Sequence, residues 1–308
     1  MAMNVNLNAD EIFNSLAVNA KRAIPIESIE IFNELGSTQE YLKTKLAGMA
    51  SLKKQKPEMS VVVAESQLCG QGRMNRSWQA SSGQNILLSC SWGFDVIPKD
   101  LPSLSLALMV VLAEYMQEEF ALPVSIKWPN DLLLKGEKLA GLLVNVETGH
   151  QCKVVVGLGL NVKQSFSSNQ IDKLNQAWTD MFQHGVEQVD RNKMIADIIS
   201  RWVDVFLHYL ESGSESVSSS VFLAFQNRWN QLSEHKDKLV IAEKVSEQGK
   251  VEVISGIMIG VDPSGFLLIR SGEDNVNNAN GGSAESVKLH KISDSTFSLR
   301  CCDSGVGA

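Results

Sequence analysis

Paired cysteines are missing from this chain of 308 residues: its five, Cys69, Cys90, Cys152, Cys301 and Cys302, are odd in number and nowhere spaced C-x-x-C. The five histidines, His150, His184, His208, His235 and His290, are scattered. These two facts argue against a disulfide framework and a zinc site, and they point to a reducing, cytoplasmic compartment. A basic excess is missing too. Lys and Arg number 28 against 35 Asp and Glu, a net charge of -7, which excludes a general nucleic-acid-binding surface. No apolar run reaches membrane-spanning length, and the N-terminus lacks a basic-then-apolar layout, so neither a span nor a signal peptide is expected. The most apolar stretch, Leu104 to Met116, is interrupted by Ser105 and Glu114 and reads as a core helix. No internal repeat is visible.

What is present is the composition of an ordinary globular protein, 44% hydrophobic and 20% charged, long enough for one large domain and a small one. Ala9 to Ala20 has the spacing of an amphipathic helix, with Ile12, Phe13, Leu16 and Ala17 on one side. Ile29, Ile31 and Leu35 alternate as in a strand, and Ser37-Thr38-Gln39-Glu40 has capping-box spacing for a helix through Leu42 and Leu46. Core elements follow at Val61–Glu65, Ile86–Trp92, Leu104–Phe120, Val124–Trp128, Leu139–Glu147 and Lys153–Gly157, with a turn at Thr148–Gln151 between the last two. Two helices are expected at Arg191–Leu210 and Ser219–Gln231. After Ser233 the texture changes to short alternating strands, Lys238–Glu243, Lys250–Ile254, Ile257–Val261 and Phe266–Arg270, which suggest a small barrel. Ser271 to Ser286, rich in Asn, Gly and Ser, reads as a loop, and Phe297–Arg300 as a final strand.

Positive charge is concentrated locally, in Arg73, Arg76, Lys127 and Lys138. Lys127-Trp128-Pro129-Asn130-Asp131 leads through Leu132-Leu133-Leu134 to Lys138-Leu139-Ala140-Gly141. A buried cation beside a carboxylate and an amide is costly unless a ligand or partner satisfies it. Pro129 removes a backbone donor, so a break in a central strand is expected there. A second segment, Gly70-Gln71-Gly72-Arg73-Met74-Asn75-Arg76-Ser77-Trp78, combines glycines that let amides approach a phosphate with forked arginine donors. It is followed by Ser82-Gly83-Gln84-Asn85 before the next strand. A third, Gly157-Leu158-Gly159-Leu160-Asn161, closes a run of valines. Taken singly, the first is compatible with a solvated lysine-rich turn and the second with a flexible hairpin loop.

In this order and spacing the three segments closely resemble the signature of biotin–protein ligases of the bacterial type. The resemblance runs from roughly Leu7 to Arg300 and is strongest from Gly36 to Val162. It implies an α/β catalytic domain related to class II aminoacyl-tRNA synthetases (residues 1–232), followed by an SH3-like β-barrel (233–308). No helix-turn-helix precedes the catalytic domain, so the N-terminal winged-helix repressor module and specific DNA binding are not expected. The implied chemistry has two steps: biotin and ATP give biotinyl-5′-AMP, and a lysine of a biotin carboxyl carrier domain then takes the biotin. Magnesium is the implied metal, and a homodimer is open. The alternatives are a lipoate or octanoate ligase, which shares the catalytic fold, and a biotin-binding regulatory protein with impaired turnover.

The resemblance also implies roles. Ser37, Thr38 and Gln39 stand where the family binds the biotin ring system with Ser-Thr-Asn; Gln39 is longer by a methylene. Gln67 faces biotin, and Gln71, Gly72 and Arg73 form the biotin-and-phosphate loop, with Arg73 on the α-phosphate. Lys138 reaches both the biotin carboxylate and the phosphate. Arg76, Trp78, Lys127, Asn130 and Asn161 fall in the nucleotide site. Asp131 holds magnesium or helps deprotonate the incoming lysine, or else is a structural partner of Lys127. The departures cluster: Gln71 stands for the usual arginine, Met74 for an often basic residue and Asn75 for the usual glycine, the last a substitution that still permits left-handed backbone.

Overall fold

The computed structural model describes residues 6–49, 59–98, 100–148, 152–165, 177–211, 220–245, 250–272, 288–293 and 297–301. All of the expected turn Thr148–Gln151 but its first residue, most of the expected loop after Ser271, and Cys302 lie outside them.

Seven strands form one mixed sheet: β1 (Ile29–Phe32), β2 (Ser60–Ala64), β3 (Ile86–Phe94), β4 (Val124–Lys127), β5 (Asp131–Leu134), β6 (Glu137–Thr148) and β7 (Cys152–Leu160). Their order is β1-β2-β3-β7-β6-β5-β4, with β1 and β2 parallel and every other pair antiparallel. The valine run of β2 and nearly all of β3 are buried, as unbroken apolar runs require when both faces of a strand are covered. One face packs against α4 (Leu104–Phe120) and α5 (Arg191–Glu211). Helix α4 is apolar around most of its circumference and buried from Leu104 to Met116 except at Ser105 and Glu114, while its last turn, Gln117–Glu119, is exposed. On α5, Ile195, Ile198, Ile199, Trp202 and Phe206 recur at helical spacing and are buried, and Trp92 of β3 stacks on Phe206 at 5.2 Å.

Three expectations need correction in this layer. The N-terminal amphipathic stretch is two helices, α1 (Ala9–Ser15) and α2 (Val18–Ala23), because Leu16 turns extended and the Ala17 amide donates to Ser200 Oγ at 3.0 Å instead of continuing the helix. Pro129 does not break a central strand. It lies in the turn joining the edge strand β4 to its neighbour β5, and the Trp128–Pro129 bond is cis. At the start of α3 (Thr38–Met49) only half a capping box forms: Ser37 Oγ accepts from the Glu40 amide at 3.4 Å, while the Glu40 carboxylate pairs with Lys43 at 2.9 Å.

After α6 (Leu223–Leu232) come β8 (Leu239–Val245), β9 (Val251–Val261), β10 (Leu267–Ser271), β11 (Lys288–Ile292) and β12 (Ser298–Cys301), antiparallel in the order β11-β10-β9-β8-β12. Among the described residues this sheet is open, with β11 and β12 as its edges, so the expected closed barrel is not what is seen. The two strands expected at 250–254 and 257–261 are the single strand β9. Gly256 marks close approach rather than chain reversal, since a Cβ there would lie 2.3 Å from the Arg270 carbonyl oxygen. Strand β11 was not legible in the sequence.

The two sheets share one hydrophobic core that runs from α4 and α5 through Phe222 and Trp229 of the α6 region to Val240, Met258 and Leu267. Polar contacts line their seam. Ser233 bridges to Ile126 of β4, the Glu234 amide donates to the Ile126 carbonyl at 2.9 Å, and the Ser125 hydroxyl donates to the Glu234 carboxylate. Among the described residues no helix is long and apolar enough to cross a membrane.

Candidate active site

A cavity of about 250 Å³ opens where β6 and β7 face the loop after β2. The start of α3 contributes Ser37, Thr38 and Gln39; the loop after β2 contributes Gln67, Gln71, Gly72, Arg73, Arg76 and Trp78. Asn130 and Asp131 enter from the β4–β5 turn, Lys138 from the start of β6, and Asn161 from the end of β7. Elements distant in sequence thus bring together every candidate except Lys127. Lys127 does not line the cavity. It is half-buried, and burial lowers the pKa of its amine, as do Lys138, Arg300 and Arg76, against the opposing charge of Asp131.

The glycine-arginine segment is a small hairpin. The Trp78 amide donates to the Gly70 carbonyl at 2.8 Å, the Gly72 amide donates to the Arg76 carbonyl at 2.7 Å, and a tight turn spans Arg73–Asn75. A Cβ on Gly70 would meet the Trp78 carbonyl oxygen at 2.6 Å, so this position must be glycine. The left-handed residue is Met74, at φ 55°, and not Asn75, so the glycine-to-asparagine departure is not where the turn strain falls. Arg73 points inward, and its Nη1 donates to Asn130 Oδ1 at 3.0 Å; Asn130 Nδ2 in turn donates to the Leu142 carbonyl. Gln71 and Arg76 are exposed at the rim.

The centre of the cavity is electrostatic. Lys138 Nζ lies 2.7 Å from Asp131 Oδ1 and 5.4 Å from the centroid of the Trp78 ring. Asp131 is therefore the partner of Lys138 rather than of Lys127. The backbone of Lys138 is pinned as well: its amide donates to the Ala177 carbonyl, and its carbonyl accepts from Thr179, both at 3.0 Å. Trp78 lies across β7, where Gly159 has no side chain to displace it; a Cβ there would sit 2.2 Å from Trp78 Cε2. Among the described residues Trp78 Nε1, which is buried, finds no hydrogen-bond partner. Asn161 is buried, and its amide is taken up internally, donating to the Thr179 carbonyl at 3.0 Å and accepting from Gln164 at 2.8 Å. Among the described residues no group of three His, Cys, Asp or Glu side chains could hold a metal ion, and the one carboxylate in the cavity already pairs with a lysine.

Several lining residues carried no role in the sequence reading: Ser77, Gln79, Leu88, Ser89, Leu142, Leu143 and Trp178. Ser89 looks like any buried strand serine, and Trp178 comes from a stretch with no motif. A signal for the floor was present in Gly157 and Gly159, which alternate and so share one face of β7. Gly159→Ala is expected to evict the Trp78 ring; if that ring borders a nucleotide, as the resemblance implies, KM for the nucleotide should rise about fivefold or more, because a bound base would lose an aromatic neighbour worth about 1–3 kcal/mol. Steady-state kinetics beside a thermal melt would check it; an unchanged KM would show that Trp78 is not part of the site.

Residues 35–161 match the Biotin/lipoate A/B protein ligase family. The bifunctional ligase/repressor BirA of Salmonella typhimurium is 30% identical over 268 residues, covering 85% of this chain and 73% of that protein. The biotin–[acetyl-CoA-carboxylase] ligase of Mycobacterium tuberculosis is 31% identical over 177 residues, 56% of this chain and 61% of that protein. Among solved structures, the biotin protein ligase of Aquifex aeolicus, in complex with biotin and ATP, superposes with a TM-score of 0.65 at 23% identity. It covers 89% of this chain and 98% of its own, and establishes a common fold.

Proposed function

Because this chain belongs to the biotin/lipoate A/B protein ligase family, we propose that its cavity is the active site of an ATP-dependent biotin–protein ligase. The observation that carries the reading is Lys138, held beside Asp131 at 2.7 Å and between the polar pocket of α3 and the glycine-arginine hairpin. A cation at that junction can touch a carboxylate on one side and a phosphate on the other. In the first step a biotin carboxylate oxygen attacks the α-phosphorus of ATP and pyrophosphate leaves. Two anions must be brought together, so Lys138 and Arg73 would neutralise the carboxylate and the α-phosphate, the guanidinium binding two oxygens at once. Ser37, Thr38, Gln67 and Gly72 would receive biotin. Arg76, Trp78, Asn130 and Asn161 would border the nucleotide, with Lys127 contributing field from the end of β4. In the second step a lysine amine of the acceptor attacks the acyl carbon and AMP leaves. Asp131, freed from its ion pair as Lys138 turns to the ligand, would be the base for the proton released.

Magnesium is assigned to the nucleotide as its counter-ion, since the protein offers Asp131 alone. The acceptor we infer is a biotin carboxyl carrier domain of a biotin-dependent carboxylase. The large sheet with its helices is read as the class II synthetase-like catalytic domain, and the open five-stranded sheet as the SH3-like module. The test is to incubate the protein with ATP, magnesium, a carrier domain and either biotin or lipoate, and to weigh the acceptor. A mass gain with lipoate alone, or with neither, would overturn the assignment.

Gln71, exposed on the hairpin, bears on retention of the intermediate. A charge-assisted hydrogen bond contributes roughly 1.5–3 kcal/mol, about twice a neutral one. Gln71→Arg is therefore expected to slow escape of the adenylate by about tenfold in the absence of acceptor. Equal dissociation rates in the two proteins would show that this position does not hold the intermediate.

A further inference from the structure

Gln39 stands where the family resemblance implies a ligand contact, yet its amide is wholly engaged by the protein. Nε2 donates to Asn145 Oδ1 at 2.8 Å and to the carbonyls of Val155 and Leu143 at 3.0 and 3.3 Å. Carbonyl oxygens cannot donate, so the nitrogen must face them and Oε1 must face the other way. There Oε1 accepts from the Ser89 hydroxyl at 3.1 Å. Gly157 makes room for this carbonyl, because a Cβ would lie 2.4 Å from it.

The direction of the remaining protons follows by counting. Ser89 has one hydroxyl proton, and Gln39 takes it. Thr38 then donates its own single proton across the 2.8 Å contact to Ser89 Oγ rather than across the longer 3.2 Å contact to Gln67 Oε1, which already accepts from the Thr38 amide. Gln67 Oε1 accepts from the Thr38 amide at 2.7 Å, which leaves its amide nitrogen as the donor end. All three side chains line the cavity. This end of the cavity therefore offers oxygen lone pairs from Thr38 and Ser89 together with an N–H donor from Gln67. A group that donates through N–H and accepts through a carbonyl fits that polarity, as a cyclic urea does.

We propose that Gln39 is a positioning residue, not a ligand contact, and that Asn145, outside the cavity, anchors it; together they set the hydrogen-bond polarity by which Ser89 and Thr38 recognise the head group of the substrate. The proposal rests on the biotin-ligase reading and deepens it. Asn145 lies on β6 opposite Val155 of β7, so a change there reaches the ligand only through Gln39.

The experiment is a double-mutant cycle on the full chain, with the dissociation constant of biotin measured by calorimetry and KM for biotin and ATP measured in turnover. Gln39→Met keeps the reach and removes the amide, and Asn145→Leu removes the anchor. Each is expected to weaken biotin about tenfold, the double variant no further than the worse single, with KM for ATP unchanged. Asn145→Asp, which retains the acceptor oxygen, should bind biotin within about threefold of the parent. Multiplicative losses, an unchanged biotin constant, or a parallel rise in KM for ATP would overturn the proposal. If the unsubstituted protein neither binds nor transfers biotin, it is the functional reading that fails.

Discussion

Lys138→Ala is expected to lower the rate of adenylate formation by about 10²–10³-fold, the loss of about 2.7–4 kcal/mol that follows removal of one preorganised contact to developing negative charge. The effect should fall on kcat more than on KM for ATP if, as proposed, the ammonium serves the junction between the two reactants rather than the base or ribose. Its ion pair with Asp131, at 2.7 Å and largely shielded from solvent, complicates the single variant, since the carboxylate is left with its partner removed. A Lys138→Ala/Asp131→Asn double variant removes that residual charge. It should recover any lost stability without recovering the rate. Wild-type turnover by a folded Lys138→Ala protein would end the assignment.

Arg191→Met should destabilise the fold by about 3–5 kcal/mol, the cost of leaving a buried carboxylate unpaired. Arg191 and Glu65 have side chains only 7% and 14% exposed and meet at 2.6 Å, while a Glu65 oxygen also accepts from the Leu7 amide at 3.0 Å. One ion pair thus joins the start of α5, the end of β2 and the N-terminal segment. Denaturant titration should show a lower midpoint with an unchanged slope. A double replacement by Met at both positions should recover most of the loss, and a single variant as stable as the parent would show that the pair contributes nothing.

The catalytic words were legible because each is a string of special residues whose chemistry survives translation into three dimensions. Lys127 to Asp131, Gly70 to Trp78 and Gly157 to Asn161 all lie at or beside one cavity, and the buried strands followed from valine and leucine runs. What was not legible depends on tertiary partners. The break between α1 and α2 is set by Ser200, far along the chain, and no local signal at Leu16 announces it. The topology that makes β4 an edge, and so turns an apparent strand break at Pro129 into a hairpin turn, is a property of the whole sheet. The same holds for the pairing of Asp131. Lys127 faces it in register across β4 and β5, yet Lys138 from β6 reaches the carboxylate oxygen. Ser89 and Asn145 carry no motif at all; the role proposed for them follows from the hydrogen bonds they make with Gln39.

The seam at Ser233 has a consequence for synthesis. The hairpin that carries Asn130 and Asp131 is the outermost part of its sheet, and the free edge of β4 is covered by the chain as it leaves α6, through a contact between Ser125 and Glu234 separated by 109 positions. A chain emerging from the ribosome at about 5–20 residues per second exposes that edge for several seconds before its cover arrives. Until then the strand carries unpaired amides and carbonyls open to any neighbouring extended segment. A nascent chain stalled between α5 and Ser233 would hold every residue that lines the cavity while still exposing the edge beside it, and mispairing there would act on the hairpin that carries Asn130 and Asp131.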